Sequence, residues 1–508
     1  MAPPPWDQAA HTQGAIEYGY CIKSFVTLQP EIQTCVTALS NQYAPVVKLI
    51  GGVVMALFGF HLKLVAFTST LWFIGAILAV YLLAKEISKQ DLVAFLSAFF
   101  FAFFLSIYDN SRGLLLDIPL TAIITLLSWT LIKSEGFSKR DFTFYSFLLA
   151  GVAVVTKVQA PLYMPFLFAY TFRESMRGKK QIEWEGIVEG VIIAALISVP
   201  WLFIARESLW SYLFGATQAE STDPTSLFSA ITWTHYLKLM INQGFTFIGF
   251  LTLCYACFGF IKEKVPFRLL LVGQALAIYI IFTIVGNKDI RFIYPLVPFV
   301  AIIFGIGMNA LLKKREVLTA AILCFYVVFQ LFSYLVLSFH FPFRLQYTAS
   351  VTVPLISDIS LLSFDSFPVK PPDAGNWQIV ELVDDLLALS KNNPLSLLFI
   401  PNYEQYNDNI LKMYFAKNQL KDAQLSRTET FTPYKTIDEA EEYVRRFTYI
   451  VSSRDEIALW YQLDKEASEQ LRDASIMMLE RGELRVAKEY QLPNGKTILL
   501  LVKQPATP

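Results

Sequence analysis

Residues 62–84 read LKLVAFTSTLWFIGAILAVYLLA, an apolar run long enough to cross the roughly 30 Å hydrocarbon core of a membrane as one helix. Similar runs follow it, at residues 92–108, 113–133, 143–157, 160–172, 185–204, 235–261, 267–285, 291–312 and 317–340. Of the 508 residues, 55% are hydrophobic and only 17% are charged. The pattern therefore predicts an α-helical polytopic membrane protein with about ten spanning helices.

The runs 143–157 and 160–172 are short, and little more than Val158 and Gln159 separates them. Such a pair is typical of half-length or tilted segments that meet at a polar site inside a membrane. Lys157 lies at this junction, where its side chain either belongs to the site or extends towards the membrane surface.

Basic residues are concentrated in every second loop between the runs, which places these loops in the cytoplasm under the positive-inside rule. They are Lys85 and Lys89; Lys133, Lys139 and Arg140; Arg173, Arg177, Lys179 and Lys180; Lys262, Lys264 and Arg268; and Lys313, Lys314 and Arg315. The opposite side then carries the first residues, the loops 109–112, 205–233 and 287–291, and everything after His340. We expect residues 41–60 to lie flat on the membrane. The alternative, an eleventh span, would move the first residues to the cytoplasm.

These patterns divide the chain into three predicted regions. Residues 1–61 form an extracytoplasmic loop with juxtamembrane helices, residues 62–340 a membrane domain, and residues 341–508 a soluble extracytoplasmic α/β domain. The last region has strand-like runs at 395–400, 448–451 and 497–503 and helical patterns at 437–446 and 462–480. The sequence Pro493-Asn494-Gly495-Lys496 predicts a hairpin turn. Cys21 and Cys35 can pair if their segment is extracytoplasmic.

Asp117 is predicted to lie within the membrane region, because it follows Gly113-Leu114-Leu115-Leu116 and precedes Ile118-Pro119-Leu120. A carboxylate at this depth is costly unless it faces a polar cavity or a partner. Asp117 is therefore either a functional acid or the structural ion-pair partner of Arg112 or Lys157.

Lys288, Asp289 and Arg291 stand between two apolar runs, on the side where basic residues are otherwise scarce. Lysine and arginine there suit a phosphate or phosphodiester, since both give charge-assisted hydrogen bonds. The alternative is a simple ion pair among the three. Asp7 precedes all the runs, with His11 one helical turn later. His11 is either a metal ligand or a polar helix residue, and a single histidine favours the second interpretation.

Several of these segments together resemble one family. Trp6-Asp7-Gln8-Ala9-x-His11 with Tyr43-x-Pro45 is similar to the first extracytoplasmic loop of GT-C-fold glycosyltransferases that use polyprenyl-phosphate sugars, in the protein mannosyltransferase and aminoarabinose transferase superfamily. Residues 111–120 resemble the family's second acidic site. Asn287-Lys288-Asp289-x-Arg291-Phe292-x-x-Pro295 resembles its K-D-x-R-Y-x-x-P segment, and residues 233–244 fit its pattern before a later span.

The resemblance implies a membrane enzyme that moves a sugar from a polyprenyl-phosphate donor to a lipid, glycan or protein acceptor at the extracytoplasmic face, with inversion. Asp7 and Asp117 are the implied catalytic acids, and Asp7 is the base that takes the acceptor's proton. The implied substrate-binding residues are Gln8, His11, Tyr43, Arg112, Lys157, Lys288, Asp289 and Arg291. The cofactor stays open: a divalent metal ion is a candidate, and no metal ligands are predicted.

The membrane and the partners follow from the same resemblance. We expect a bacterial inner (plasma) membrane, because the chain lacks the large lumenal insertions expected of eukaryotic relatives. The Phe-rich run 99–104 either forms a groove for the polyprenyl chain or faces lipid. The 42 basic and 42 acidic residues balance, so charge gives no indication of a nucleic-acid partner.

The chain departs from the family pattern at two places. Gln8 stands where the family usually has glutamate, so this position offers a hydrogen-bonding amide in place of a second carboxylate. The family also carries a transmembrane helix before this loop, and we expect the native chain to be longer. Two alternatives remain: a transporter or flippase of lipid-linked substrates, and a catalytically inactive relative. The transporter is disfavoured because no inverted repeat is visible between the two halves.

Overall fold

The computed structural model describes residues 4–27, 32–40, 42–178, 181–211, 227–286, 288–339, 350–353, 357–360, 375–390, 395–420, 424–426, 433–457 and 462–504. Asn287 and parts of the predicted segments 205–233 and 341–508 lie outside these residues. The chain forms two compact units. The first unit contains Met1–Glu31, Gly51–Leu62 and Pro372–Pro508, and the second contains Ile32–Ile50 and Lys63–Pro371.

The second unit is a helical bundle, and each predicted apolar run contains at least one of its helices. The helices up to residue 338 are α1 (Trp6–Val26), α2 (Ile32–Leu39), α3 (Pro45–Phe58), α4 (Leu62–Ser88), α5 (Asp91–Ala102), α6 (Leu105–Asn110), α7 (Asp117–Lys133), α8 (Arg140–Val154), α9 (Pro165–Gly178), α10 (Trp184–Ile204), α11 (Ala230–Leu239), α12 (Thr246–Lys262), α13 (Arg268–Ile284), α14 (Val297–Lys314) and α15 (Glu316–Ser338). The predicted α-helical polytopic membrane fold is confirmed.

Five helical stretches among the described residues are long and apolar enough to cross a membrane. They are Leu62–Ser88, Trp184–Ile204, Ala230–Lys262, Ile290–Lys314 and Glu316–Leu335. Helix α3 is apolar but has only 14 residues, or about 21 Å at 1.5 Å per residue. That length is less than the roughly 30 Å thickness of a hydrocarbon core, and the position of residues 41–60 flat on the membrane stays a prediction.

Short 3-10 turns interrupt several bundle helices, and proline residues explain the positions of these turns. Pro161 lies in the 3-10 turn Ala160–Tyr163, and Pro165 begins α9. A second 3-10 turn, Ile290–Leu296, contains Pro295 and leads into α14, which has Pro298 in its first turn. Proline has no N–H to donate, so it is tolerated at helix starts and interrupts helices elsewhere. Charged residues described below lie on or near these two turns.

The Phe-rich run 99–104 lies mostly in the interior of the bundle, so the expectation that it faces lipid is wrong, and the groove for the polyprenyl chain stays a prediction. Phe100, Phe101 and Phe104 have no exposed surface. The ring of Phe100 stacks on Phe304 at 4.0 Å between ring centroids and on Phe245 at 5.2 Å. The sequence could not reveal this, because an apolar helix face that packs on protein and one that contacts lipid have the same composition.

The first unit contains an α/β domain with a five-stranded sheet, in which the neighbouring strands are, in order, Gln424–Ser426, Ser396–Phe399, Tyr449–Ser453, Thr497–Lys503 and Leu484–Gln491. Before this sheet, a two-stranded antiparallel hairpin of the second unit pairs β1 (Ser350–Val353) with β2 (Ser357–Ser360). The strands of the larger sheet are β3 (Ser396–Phe399), β4 (Gln424–Ser426), β5 (Tyr449–Ser453), β6 (Leu484–Gln491) and β7 (Thr497–Lys503). Its helices are α16 (Ile379–Ser390), α17 (Asp408–Lys417), α18 (Ile437–Val444) and α19 (Gln462–Glu480).

Strand β3 is parallel to its two neighbours β4 and β5, whereas β7 is antiparallel to β5 and β6. The predicted hairpin around Asn494 is the β6–β7 connection, and Gly495 there has a φ of +80°, which glycine adopts without strain. The apolar faces of β5 and β7 pack against α19 and form the core of the domain. The predicted C-terminal α/β domain is confirmed.

Helices α1 and α3 cross closely in the first unit because both have glycine at the contact. A Cβ atom added to Gly52 would lie 2.7 Å from the Cβ of Tyr18 and 2.8 Å from the backbone nitrogen of Gly19. Tyr20 stacks on Phe60 at 4.1 Å between ring centroids. Small residues allow the two backbones to approach this closely, so α1 has a defined position within its unit.

The cysteines divide into two classes. Cys21 and Cys35 are both disulfide-bonded, as their predicted extracytoplasmic segment permits. Cys254, Cys257 and Cys324 are free and lie on membrane helices.

Candidate functional site

A buried ion pair lies where two bundle helices are interrupted. Asp117 is in the first turn of α7 and only 4% exposed, and Lys157 follows the end of α8. The Nζ atom of Lys157 lies 2.5 Å from Oδ1 of Asp117. Of the two structural partners considered for Asp117, the structure selects Lys157. Each charge compensates the other, since either one alone would be costly to bury.

A second ion pair lies on the neighbouring 3-10 turn Ile290–Leu296. Asp289 caps this turn by accepting a hydrogen bond from the backbone N–H of Arg291 at 2.9 Å. The Nε atom of Arg291 also donates to Oδ2 of Asp289 at 2.8 Å. Burial alone would raise the pKa of Asp289, but the charge and hydrogen bonds of Arg291, and then the charge of Lys157, hold this pKa below its usual value. Asp289 is therefore a carboxylate at neutral pH.

The ring of Phe292, the residue after Arg291, contacts the ammonium group of the first ion pair. The Nζ atom of Lys157 lies 4.9 Å from the centre of this ring, within cation–π distance. The ammonium group thus contacts a carboxylate and an aromatic face. The bundle brings Asp117, Lys157, Asp289 and Arg291 into one group, which we call the paired-charge cluster.

Tyrosines that the sequence did not single out support the paired-charge cluster. The hydroxyl of Tyr163 donates to the carbonyl oxygen of Phe292 at 2.8 Å, and Gln274 donates to the carbonyl oxygen of Tyr163 at 2.8 Å. The hydroxyl of Tyr294 donates to the carbonyl oxygen of Ser106 at 2.9 Å and accepts a hydrogen bond from Asn110. Tyr294 lies within the segment 287–295 that was compared with the family pattern. Its place in that segment was the sequence feature that could have identified it.

Further cations and tyrosines of the second unit surround this part of the bundle. Arg112 forms an ion pair with Asp109, and its guanidinium lies 5.5 Å from the ring of Tyr108. Lys288, next to Asp289, is 8% exposed. Arg291 and Asp289 form an ion pair, as the simple alternative for this segment predicts, and the binding of a phosphate there stays a prediction.

Tyr43 lies just before α3, and the buried Lys48 was missed at the sequence level. The Nζ atom of Lys48 lies 5.7 Å from the centre of the Tyr43 ring, and Lys48 is 1% exposed. The backbone N–H of Val46 donates to the carbonyl oxygen of Val155 at 3.0 Å. The start of α3 is thereby attached to the end of α8, two residues before Lys157.

Asp7, Gln8 and His11 belong to the first unit, on α1. Asp7 lies half-buried in the first helical turn, where a carboxylate is stabilised by the helix dipole. His11 is 4% exposed, and the carbonyl oxygen of Gln8 accepts a hydrogen bond from Thr12 at 2.6 Å. The indole N–H of Trp6 donates to Oδ1 of Asn402 at 3.1 Å.

The paired-charge cluster combines two cations with two carboxylates. Within the described ranges, no group of three or more His, Cys, Asp or Glu residues is placed to hold a metal ion. Both cluster carboxylates, of Asp117 and Asp289, already pair with a cation. A phosphate oxygen can replace a carboxylate oxygen on lysine or arginine, because both anions accept charge-assisted hydrogen bonds.

Comparison with known proteins gives a consistent relationship. A model of the family described as dolichyl-phosphate-mannose-protein mannosyltransferase matches residues 42–204, which include Tyr43, Arg112, Asp117 and Lys157. GPI alpha-1,2-mannosyltransferase 3 of Xenopus laevis is 22% identical over 198 residues, which are 38% of this chain and 36% of that protein. The match therefore spans little more than a third of the relative.

Solved structures of one bacterial protein have the same fold. The structure of ArnT from Cupriavidus metallidurans in the apo state superposes with a TM-score of 0.58 at 13% identity, over 99% of this chain and 94% of that one. ArnT bound to undecaprenyl phosphate gives a TM-score of 0.57 at 12% identity, with the same coverage. At this identity the likeness shows the fold.

Proposed function

We propose that this chain, which belongs to the GT-C superfamily of protein mannosyltransferases and ArnT-type proteins, moves a sugar from a polyprenyl-phosphate donor to an acceptor. The paired-charge cluster carries the proposal. Charged side chains are rare inside membrane proteins and mark functional sites. Here Lys157 and Arg291 are held on two interrupted helices by the counter-ions Asp117 and Asp289.

The cluster cations would bind the donor phosphate. Arg291 offers a planar guanidinium that can bind two phosphate oxygens, and Lys157 offers a compact ammonium. The two carboxylates keep both cations charged and oriented until the donor arrives. As the bond to the sugar breaks, negative charge grows on the leaving phosphate, and fixed cations stabilise it more strongly in a site without water than in solution. Lys288 and Arg112 are the next candidates for this role.

The reaction itself is a substitution at the sugar's anomeric carbon. The oxygen of the acceptor hydroxyl forms a bond to this carbon, the bond to the phosphate oxygen breaks, and the polyprenyl phosphate leaves as an anion. The acceptor's proton passes to a base, for which we propose Asp7. A single displacement of this kind inverts the configuration at the carbon. Asp117 is proposed to orient the reacting groups, and Gln8, His11 and Tyr43 to contact the sugar or the acceptor.

The matched proteins support this donor class. The matching family is described by dolichyl-phosphate-mannose, and ArnT was solved bound to undecaprenyl phosphate. We extend this type of donor to the present chain. Lys85, Lys133 and Lys313, at one end of their helices, favour that end as the cytoplasmic one under the positive-inside rule. On this orientation the α/β domain and the chemistry are extracytoplasmic, in a bacterial inner membrane.

A transfer assay tests the proposal. Purified protein in vesicles receives radiolabelled polyprenyl-phosphate mannose and a membrane extract as the source of acceptors. We expect label on an acceptor with the wild-type chain. With Asp7→Asn, the initial rate should fall about 100- to 10,000-fold, the usual effect of losing a general base. Donor binding should be unchanged, because Asp7 is not proposed to bind the phosphate.

Two outcomes would contradict the proposal, and a control makes them clear. The control, Asp473→Asn, removes an exposed carboxylate of the α/β domain and should transfer at the wild-type rate. Label that crosses the bilayer without joining an acceptor would indicate a transporter. Equal rates for wild type and Asp7→Asn would exclude Asp7 as the base and leave the donor assignment standing.

A further inference from the structure

One hydrogen bond joins the start of α1 to the α/β domain across 396 positions of sequence. It runs from the indole N–H of Trp6 to Oδ1 of Asn402, at 3.1 Å. Trp6 directly precedes Asp7 in the chain. We propose that Asn402 is a positioning residue, which acts through Trp6 to fix the first turn of α1 and hence Asp7. This inference rests on the role of Asp7 in the proposed function.

Asn402 lies in a loop that is held firmly on both sides. The loop follows β3, and the N–H of Ile400 donates to the carbonyl oxygen of Val451 at 3.0 Å. Tyr403 forms hydrogen bonds with Ser453 and with the carbonyl oxygen of Glu456, each at 3.1 Å. Asn402 itself is 8% exposed. An acceptor held in this way can orient its donor because little side-chain freedom remains to be lost.

The place of Asn402 in the sheet explains why an acceptor is available there. Strand β3 lies between the parallel strands β4 and β5, and Asn402 follows its carboxyl end. In α/β sheets, ligands bind outside the carboxyl ends of parallel strands. In this domain, that position holds the Trp6 side chain. The domain thus uses a typical ligand-binding edge to hold a segment of its own chain.

The rest of α1 is held by other contacts. It packs along α17, and the hydroxyl of Tyr20 donates to the carbonyl oxygen of Lys417 at 2.8 Å. Gly52 of α3 contacts Gly19. The contacts of Gly19 and Tyr20 lie more than three helical turns after Asp7. Loss of the bond between Trp6 and Asn402 should therefore loosen the first turn of α1 and leave the remainder of the helix in place.

Kinetics of the full-length protein test the inference. Asn402→Leu keeps the branching at Cγ and removes the acceptor, whereas Asn402→Asp keeps an acceptor oxygen. We expect kcat to fall about tenfold or more in Asn402→Leu, because a small displacement of a catalytic group is costly. The KM for the polyprenyl-phosphate sugar should stay within about twofold, and Asn402→Asp should restore most of kcat.

A double substitution checks that Asn402 acts through Trp6. Trp6→Phe keeps an aromatic ring and removes the N–H, so it should lower kcat as Asn402→Leu does. The pair combined should lower kcat no further than either change alone, because both remove one bond. The matched control is Tyr20→Phe, which removes the hydrogen bond to Lys417 and should keep the wild-type kcat.

Hydrogen exchange gives a readout that does not depend on the reaction. Backbone amides of residues 8–11 should exchange about tenfold faster in Asn402→Leu than in wild type, and at the wild-type rate in Tyr20→Phe. Unchanged exchange, or an unchanged kcat in an active enzyme, would overturn the inference. A wild-type protein without transfer would instead overturn the proposed function, and faster exchange would then show that Asn402 positions α1 for some other role.

Discussion

The two units hold their candidate acids in different ways. In the second unit, Asp117 is buried, and its carboxylate is bound at 2.5 Å by Lys157, which lies just after the end of α8. In the first unit, Asp7 is half-buried in the first turn of α1, and the residue before it is hydrogen-bonded to Asn402, 396 positions after Trp6. The bundle thus pairs its candidate acid with a cation, and in the first unit a bond to a distant loop fixes the residue that precedes the candidate acid.

This difference predicts how substitutions around each acid should affect stability and activity. Removing either partner of a buried ion pair strongly lowers the free energy of unfolding, because the remaining buried charge is no longer compensated. A helix held by several neutral contacts loses position gradually, because each contact contributes about 1 kcal/mol. We therefore expect substitutions in the paired-charge cluster to reduce stability and activity together. Substitutions around α1 should separate the two.

The largest effect should come from breaking the buried ion pair. Asp117→Asn leaves the ammonium group of Lys157 without a counter-ion and should lower the free energy of unfolding by about 3–5 kcal/mol. Denaturation of the purified protein in detergent measures this change. The double variant Asp117→Asn/Lys157→Met removes both charges and should recover most of the stability without transfer activity. A double variant as unstable as the single one would contradict the pairing.

The next effect concerns the donor. Arg291→Gln removes two charge-assisted donors and should raise the KM for the polyprenyl-phosphate sugar about tenfold or more, at about 1.4 kcal/mol per factor of ten. Arg291→Lys keeps the positive charge without the planar guanidinium, so its KM should lie between those of the wild type and Arg291→Gln. Arg268→Gln serves as the control, since Arg268 hydrogen-bonds backbone carbonyl groups of Phe260 and Ile261. Equal KM values for the Arg291 and Arg268 variants would refute phosphate binding.

The third prediction concerns the contact between α1 and α3. Gly52→Ala places a methyl group 2.7 Å from the Cβ of Tyr18 and should reduce the free energy of unfolding by about 1–3 kcal/mol. Gly75→Ala is a matched control in α4, because nothing lies within 4 Å of the added atom. It should leave stability unchanged or raise it by up to about 1 kcal/mol. Thermal unfolding of both variants measures these changes. Equal changes in stability for Gly52→Ala and Gly75→Ala would contradict the close crossing of α1 and α3.

The smallest effect should appear in the α/β domain and depend on pH. Burial would raise the pKa of Asp385, but hydrogen bonds from Lys488 and Tyr490 hold this pKa below its usual value. The stabilisation is therefore present above about pH 4, where the unfolded carboxyl ionises, and is lost as the pH falls through the lower folded pKa.

The test is a comparison of melting temperatures at several pH values. At pH 7, Asp385→Asn should lower the stability of the domain by less than about 1 kcal/mol, because Lys488 is half exposed. The gap to wild type should close as the pH falls below about 4. A gap that widens on acidification would contradict the assignment.

Part of the site was predictable from local features. Lys157 lies between two short apolar runs, and Asp117 interrupts another, so both were candidates. The choice of Lys157 over Arg112 as partner was not predictable, because Arg112 is nearer in sequence and pairs with Asp109 instead. Lys48 and Tyr163 carried no pattern of their own, and they became visible only through their burial and their neighbours.

The sequence by itself determined the helical bundle and the strands β3, β5, β6 and β7 of the α/β domain, but not β4. Both follow from local rules. Long apolar runs form helices in the membrane, and the sequence Asn494-Gly495 between two strand-like runs forms a hairpin turn. Only the tertiary structure decided the burial of Phe100, the pairing of Asp117 with Lys157 and the bond from Trp6 to Asn402. Each joins residues distant in the chain, and the free energy of such contacts depends on packing geometry that a linear pattern does not encode.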